Sequence, residues 1–521
     1  MTGGRHLPQR FALAVLCAVL FLTFLDTTIV SVALADIQQR LHAGVTQLQW
    51  IVNGYALTFA SLMLVAGSLA DRFGRRRVML AGLAVFAAGS LLGALATDPP
   101  MLIAARAVMG AGAAASEPGT LSIIRHLYPG RSERARALGA WTAVSGLALA
   151  LGPVLGGTLV GIGTWRSIFW FNVGAAVLIG GAATRLPESA DPGAARLDAP
   201  GFVTGALGLA ALTFAVILGE TEGYRSTIPV ALFATGIVAL VGFVRVERAS
   251  PAPMLDLSYF RSPAFSGAIF VGFVAFFGIF SIFFFSALYL EAVVGYSPYR
   301  IALEFVPMTA AMIVAAGAAG RRVALIGPRL PMAEGCVLAA AGIMLSDALL
   351  GARPPSLWLM GTLALAGFGF GTTVVPVTTV AMGVVPARRS GMAASATNTS
   401  RELGSVFGVA VLGALVNAHL TADLTRRLHA LRIPANFVSI VVRAVETGTV
   451  PSGVAGGGSI EDRVIEAAYG AFRAGLEVAL LTAGIAILVA GGVAAATLSP
   501  LRTTEGGPRD GAGDGGDGAR H

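Results

Sequence analysis

The chain has 521 residues, of which 55% are apolar and 12% charged, against about 25% charged in a soluble domain. A larger core cannot absorb that deficit, because a soluble fold must still cover its surface, so most of the chain faces something other than water. All 36 basic residues are arginine and exceed the 28 acidic ones by a net +8, yet they fall in short stretches between apolar runs, against a nucleic-acid surface, while Cys17 and Cys336 lie inside apolar runs and form no disulfide framework or metal-ligand cluster.

Residues 1–10 form a short basic N-terminus. The apolar run that follows has no small-residue cleavage site before polar sequence resumes, so it reads as a retained first span rather than a removed signal peptide. In chain order, fourteen runs are mostly apolar: 11–35, 46–68, 78–97, 101–124, 137–161, 167–185, 201–219, 228–246, 264–288, 300–320, 331–350, 356–381, 393–416 and 471–497. Each is about the 20 residues a bilayer-crossing helix needs. Lipid offers backbone groups no water, so each is expected to be helical, and the lack of strand alternation excludes a β-barrel. The predicted fold is an all-α integral membrane protein with 14 transmembrane helices.

With the N-terminus cytoplasmic, 23 arginines fall in inside segments, 5 in short outside loops and 5 in the long outside loop at 417–470. That bias places both termini in the cytoplasm and leaves Arg106, Arg401 and Arg473 at membrane depth. Residues 186–198 read as a polar loop. The 417–470 loop has amphipathic stretches and a glycine break at Gly456–Gly458, and the tail after Pro500, rich in Gly, Asp and Arg, reads as disordered.

The chain also echoes itself. Ala66 to Arg76 ends the second span; shifted by 253 residues, Ala319 to Arg329 ends the tenth, and Ala, Gly, Gly and Arg coincide at four of eleven places. Parallel halves related by an axis along the membrane normal are one transporter plan, with the substrate site at their interface. The expected division is an N-terminal six-helix bundle (11–190), an inserted two-helix hairpin of spans seven and eight (191–260), a C-terminal six-helix bundle including the outer loop (261–498), and a tail (499–521).

Within this frame the ionisable residues inside spans carry the chemistry, since burying charge in lipid is costly and marks function. Asp26 lies deep in span one, roughly 13 Å from its outer end. Arg106 in span four sits at a similar depth, and the two can pair if the spans are neighbours. A nearby cation favours the charged acid and burial the neutral one, so contact between them can govern proton binding; the competing reading is a fixed ion pair. Glu117 follows Arg106 by eleven residues, about 16 Å along nearly the same helix face, and is a second proton or cationic-cargo candidate ahead of Pro118.

Gly152, Pro153, Gly156 and Gly157 in span five allow close helix approach and a pliable backbone. Gly67, Asp71, Arg72, Gly74 and Arg75 form a charged turn suited to bridging helix ends. Span nine holds nine phenylalanines between 264 and 288, of which Phe273, Phe277 and Phe280 are candidates, with Trp50 and Tyr55, to line a cavity for flat apolar compounds; ordinary lipid contact and packing is the competing reading. In span thirteen, Asn398, Arg401 and Glu402 are deep enough to be cavity groups. Glu304 is expected to pair with Arg300 at i, i+4, and Asp347 to sit near an outer helix end. No nucleophile–His–acid array, phosphate loop, cofactor motif or metal spacing is present, so neither an enzyme nor a cofactor is expected.

At these residues the chain resembles the major facilitator superfamily, in its fourteen-span drug:proton antiporter branch (EmrB/QacA type), from about residue 11 to 497. Leu25-Asp26-Thr27-Thr28-Ile29-Val30-Ser31-Val32-Ala33-Leu34-Ala35 resembles LDxTIVNVALP, and Gly67 to Arg76 the loop motif GxLaDrxGrr. Leu102 to Gly112 is similar to lxxxRxxqGxG, with Met109 for Gln. Gly152-Pro153 with Gly156-Gly157 resembles the span-five antiporter motif, Trp165-Arg166 through Asn172 is similar to WRWIFxIN, and Asn398 to Gly404 resembles N-T-x-R-Q-L-G with Glu402 for Gln. The resemblance implies proton coupling through Asp26 and Arg106 and export of a broad apolar or cationic drug across a bacterial plasma membrane, with protons and the small molecule as partners. Ala324 and Leu325 replace Asp-Arg in the second loop motif, so the cytoplasmic lock is expected to be one-sided. Alternatives are a dedicated exporter of one self-made metabolite, a proton-coupled nutrient importer, or a membrane receptor that moves nothing.

Overall fold

The computed structural model describes residues 9–43, 45–190, 199–251, 253, 255–351, 356–386, 389–446 and 460–498, and its regular elements are all helical. In order they are α1 (Gln9–Ile29), α2 (Leu34–Leu41), α3 (Val45–Phe73), α4 (Arg75–Ala94), α5 (Pro99–Leu127), α6 (Arg131–Ile162), α7 (Arg166–Ala183), α8 (Ala199–Glu222) and α9 (Thr227–Ala249). There follow α10 (Pro263–Ala292), α11 (Pro298–Ile326), α12 (Arg329–Leu349), α13 (Ser356–Val384), α14 (Ser390–Ala430), α15 (Ala435–Glu446) and α16 (Ile460–Thr497). Starts follow local chemistry: the Asp98 carboxylate accepts the Met101 N–H at 2.8 Å with Pro99 in the first helical position, satisfying a donor the helix itself leaves open.

Each predicted run falls on one long helix except the first, 11–35, which runs past the end of α1 at Ile29 through a 3-10 turn at Ser31–Ala33 into the start of α2. Among the described residues, twelve of these helices are long and apolar enough to cross a membrane. The other two, α5 and α6, have 29 and 32 residues; Arg106 and Glu117 lower the hydropathy of α5, whereas 137–162 of α6 carries no charged residue.

Packing repeats along the chain. α4 packs on α5, α3 on α5, α1 on α6 and α4 on α7; in the same order α12 packs on α13, α11 on α13, α10 on α14 and α12 on α16. The two groups meet through α3 with α14 and α6 with α11, and more lightly through α5 with α14 and α6 with α13. That pattern is symmetric, each contact having its counterpart in the other group. The echo noted in the sequence has a backbone counterpart: Gly74 and Gly327, after α3 and α11, have φ of 104° and 82°, a region that favours glycine. α8 and α9 pack on each other, and α8 leans on α3 and α14.

The 417–470 segment differs from a plain loop. α14 continues to Ala430 and α16 starts at Ile460, and with α15 they enclose a small core of Leu420, Leu424, Leu428, Val438 and Ala471. Its glycine break at Gly456–Gly458 lies outside the described residues, as do the 191–198 part of the polar loop and the tail from 499 on. Below that core, the third membrane-depth arginine is paired: Arg473 Nη1 donates to Asp347 Oδ1 at 2.7 Å and its Nε to the Leu350 carbonyl at 2.7 Å. Losing one partner of a buried pair costs about 3–5 kcal/mol, while replacing both with apolar groups is often neutral. Arg473→Met therefore lowers the thermal unfolding midpoint in detergent, and adding Asp347→Leu restores most of it.

Candidate functional site

Asp26 is fully buried near the end of α1 and is held from two other helices. Arg106 of α5 donates through Nη1 to Asp26 Oδ2, and Asn172 of α7 donates through Nδ2 to Oδ1 at 2.7 Å. Arg106 in turn donates Nε to the Ile51 carbonyl of α3 at 3.0 Å and lies 4.5 Å above the Tyr55 ring. Tyr55 closes the ring by donating its hydroxyl to the Thr23 carbonyl at 3.0 Å. Two sequence candidates, Asp26 and Arg106, thus touch, and Tyr55 is part of their support rather than a cavity wall. Asn172 belonged to a recognised motif but was not singled out as a site residue; the signal was a buried amide within an apolar span.

Glu117 does not share this site. It is buried on α5 where α5 meets α14, and both Glu117 and Glu402 lie within electrostatic range of Arg401. Arg401 donates to Thr378 Oγ1 of α13 and is 5.9 Å from the Trp141 ring of α6 and 5.4 Å from that of Phe276. Trp141 donates Nε1 to Thr120 at 3.1 Å, one turn after Glu117. Glu117 Oε2, Arg401 Nε and both amide atoms of Asn398 are buried with no hydrogen-bond partner among the described residues. Such groups demand a partner. A void of about 20 Å³ between Phe24, Thr142, Phe276 and Val374 lies at this interface, about the space one water needs.

One end of the interface is clamped. Asp71, near the end of α3, accepts the Gly391 N–H at 3.1 Å and the Met392 N–H at 3.0 Å, both in the first turn of α14, and Arg75 donates to it at 2.7 Å. A helix N-terminus presents free N–H groups and partial positive charge to an anion, so Asp71 caps a helix of the other group. Close approach depends on glycine: a Cβ on Gly67 would stand 1.6 Å from Ser395 Oγ, and one on Gly391 2.3 Å from Asp71 Oδ1. Arg72 is exposed and lies 5.2 Å from the Phe73 ring. Gly74 lets the turn dock on Glu188, whose Oε1 accepts the Arg76 N–H at 3.1 Å. Outside the spans, Asp256 accepts from Arg389 beside the same end. Partial burial pushes its carboxyl up, but hydrogen bonds from Ser258 and Arg389 outweigh this and hold it below its ordinary value, so the pair stays ionised at neutral pH. At the counterpart turn, where Ala324 and Leu325 stand, Arg322 bonds Glu334 at 2.6 Å instead.

Gly152 and Gly156 press α6 onto α1 directly beyond Asp26. A Cβ would meet Thr28 Oγ1 at 1.9 Å from Gly152 and the Ile29 carbonyl at 2.6 Å from Gly156. Gly157 is half-buried, and the Pro153 side chain lies outside the described residues. Overpacking costs about 1–3 kcal/mol, so Gly156→Val is expected to lower the unfolding midpoint and transport together, whereas Gly161→Val, where a Cβ meets nothing within 4 Å, changes neither.

The remaining candidates are distributed differently from the expectation. Trp50 packs edge-on against Phe214 of α8 at 5.0 Å. Phe273 lines a lateral cavity between α8, α9, α10 and α14, whereas Phe277 and Phe280 are half-buried and stack along their own helix on Phe273 and Phe276. Glu304 turns away from Arg300: its Oε1 accepts from Ser356 Oγ at 2.5 Å, and Arg300 reaches the Tyr296 hydroxyl at 3.4 Å. The physical reason is burial, since Glu304 faces α13 within the packing while Arg300 stays at the exposed start of α11.

A family model described as Major Facilitator Superfamily matches residues 16–409. The chain belongs to the major facilitator superfamily. Its relatives include the Multidrug resistance protein Stp of Mycobacterium tuberculosis (strain CDC 1551 / Oshkosh), 36% identical over 480 residues that span 90% of this chain and 88% of that protein. The Tetracenomycin C resistance and export protein of Streptomyces glaucescens is 31% identical over 502 residues, 95% of this chain and 92% of that one. Among solved structures, the human organic anion transporter MFSD10 (TETRAN) matches with a TM-score of 0.63 at 16% identity, covering 94% of this chain and all of that one, a likeness of fold alone. As a superfamily member with, among the described residues, twelve helices apolar enough to span a bilayer, this is a multi-pass membrane protein of a transporter family.

Proposed function

We propose that this superfamily member is a proton-driven drug exporter of the bacterial plasma membrane, in the fourteen-span drug:proton antiporter branch. On this reading α5 and α6 also cross, residues 11–190 and 261–498 are the two bundles, 191–260 the inserted hairpin, and both termini are cytoplasmic. The observation that carries it is the Asp26 carboxylate, buried and bonded to the Arg106 guanidinium and the Asn172 amide of two other helices. Proton uptake at Asp26 removes the charge that holds Arg106, so the contact differs between the two protonation states. The bundles rock about the α3–α14 and α6–α11 contacts, the Asp71 clamp opens, the proton leaves inside, and cargo moves the other way. Glu117, Arg401, Glu402 and Asn398 supply the polar groups at the interface that meet cargo or a second proton.

Purified protein in sealed vesicles, with ethidium and an imposed pH step, tests the reading. Dye movement driven by the step and abolished by a protonophore is expected; movement indifferent to the gradient overturns it. The name of the Streptomyces glaucescens relative, which specifies one compound, favours a second reading as a dedicated exporter. A strain lacking the protein separates the two: sensitivity to many unrelated compounds, or to one.

A further inference from the structure

The lateral cavity has about 400 Å³ and lies between the α8–α9 hairpin, α10 and α14, in the half of the molecule that carries the Asp71 turn. That volume falls within the range of small-molecule sites, roughly 300–1,000 Å³. Its wall includes Leu209, Leu240, Phe270, Phe273 and Leu403, and no charged side chain. Three hydroxyl-bearing residues line it. Ser266 donates to the Phe260 carbonyl at 2.6 Å and Ser400 to the Ile269 carbonyl at 2.8 Å. Thr399 is different: it is only 6% exposed, yet its Oγ1 has no hydrogen-bond partner among the described residues. Thr397, two residues earlier, bonds back to the Ala393 carbonyl at 2.7 Å as a helical threonine ordinarily does. A buried hydroxyl left unpaired in the wall of an otherwise apolar chamber is a vacant donor and acceptor.

We infer that this cavity is a binding site for an uncharged, drug-sized lipophile that enters from the surrounding leaflet and gives one polar atom to the Thr399 hydroxyl. A cation is disfavoured, because no acid lines the chamber to offset its desolvation. Entry from the bilayer fits the wall: Phe270 is 41% exposed at the chamber's edge. The far wall is α14, which carries Thr399 and Leu403 on the chamber and Arg401 and Glu402 at the interface of the two helix groups, so the hairpin encloses a holding site one helix away from the polar cluster. The inference rests on the export reading for its purpose, and names for that reading an uncharged class of cargo.

Nile red, uncharged and carrying a carbonyl acceptor, is the probe, measured by fluorescence titration of the purified full-length protein in detergent. Leu209→Trp, which fills the chamber, weakens binding at least about ten-fold. Thr399→Val, nearly the same shape without the hydroxyl, weakens it about three- to ten-fold, the worth of one hydrogen bond, and decides the matter should the bulkier variant not fold. Unchanged Nile red affinity in both variants overturns the site, as does a phospholipid that stays bound through detergent exchange and that the dye does not displace. Failure of the wild type to export ethidium defeats the export reading instead, while the titration still decides the site.

Discussion

Asp26→Asn abolishes proton-driven efflux. The substitution keeps the size of the side chain and removes its titration, so the Arg106 contact no longer depends on protonation. Export of ethidium driven by a pH step is expected to fall about 100-fold, equivalent to about 2.7 kcal/mol on the limiting step. Stability changes too, because Arg106, 1% exposed, loses its counter-charge, and breaking a buried pair costs about 3–5 kcal/mol. Two controls separate the effects. Downhill exchange of dye between equal pH values needs no net proton movement and is retained by a folded variant. Asp26→Glu keeps the charge and recovers part of the driven transport. Normal driven export by Asp26→Asn in folded protein would sink the proposed coupling.

Gly67→Leu locks the clamped end open. The helices touch there: a Cβ on Gly67 is 1.6 Å from Ser395 Oγ and 2.8 Å from the Gly391 carbonyl. Leucine holds α3 off α14 and pulls Asp71 from the Gly391 and Met392 N–H groups. Hydrogen bonds to a charged group contribute about 1.5–3 kcal/mol each, so losing them shifts the balance of the two states by at least about ten-fold. Alternating access needs both states, so driven transport falls to background. A cysteine at Asn398, in a chain whose Cys17 and Cys336 are replaced, becomes reactive to a hydrophilic maleimide from the clamped end only in the Gly67→Leu background. Asp71→Asn acts in the same direction and less strongly, since its amide still accepts hydrogen bonds. Wild-type transport in Gly67→Leu would show that this contact does not gate the cycle.

Much of this was legible in the residues. The acid and the guanidinium of the Asp26–Arg106 pair were visible because charge at membrane depth stands out against apolar sequence and their depths agree. The glycines of α6 were visible as small residues in a span, but their partner, α1, was not. The Asp71 turn was visible as a motif, but its target was not: it bonds the backbone N–H groups of Gly391 and Met392, which have no side-chain signature. Asn172 is legible as an amide within a span but its role is not, since an amide at depth points nowhere until α7 is placed beside α1. Glu304 was assigned to Arg300 by helix spacing, and burial turned it to Ser356. Trp50 was offered as a cavity residue and faces α8, because the azimuth of a helix that is apolar on several sides is not written in its hydropathy.

Sequence alone determined the one-dimensional properties: which runs cross or line a membrane, how deep each charge lies along its helix, and which positions are small enough for close contact. These depend on composition along a single axis, and the bilayer imposes that axis. Tertiary structure decided what depends on the other two dimensions: the neighbours of each helix, the separation of Glu117 from the Asp26 site and its meeting with Arg401, the capping of α14 by Asp71, and the chamber behind Thr399. Rotation and adjacency of helices come from the sum of many weak packing contacts, and no single residue announces them.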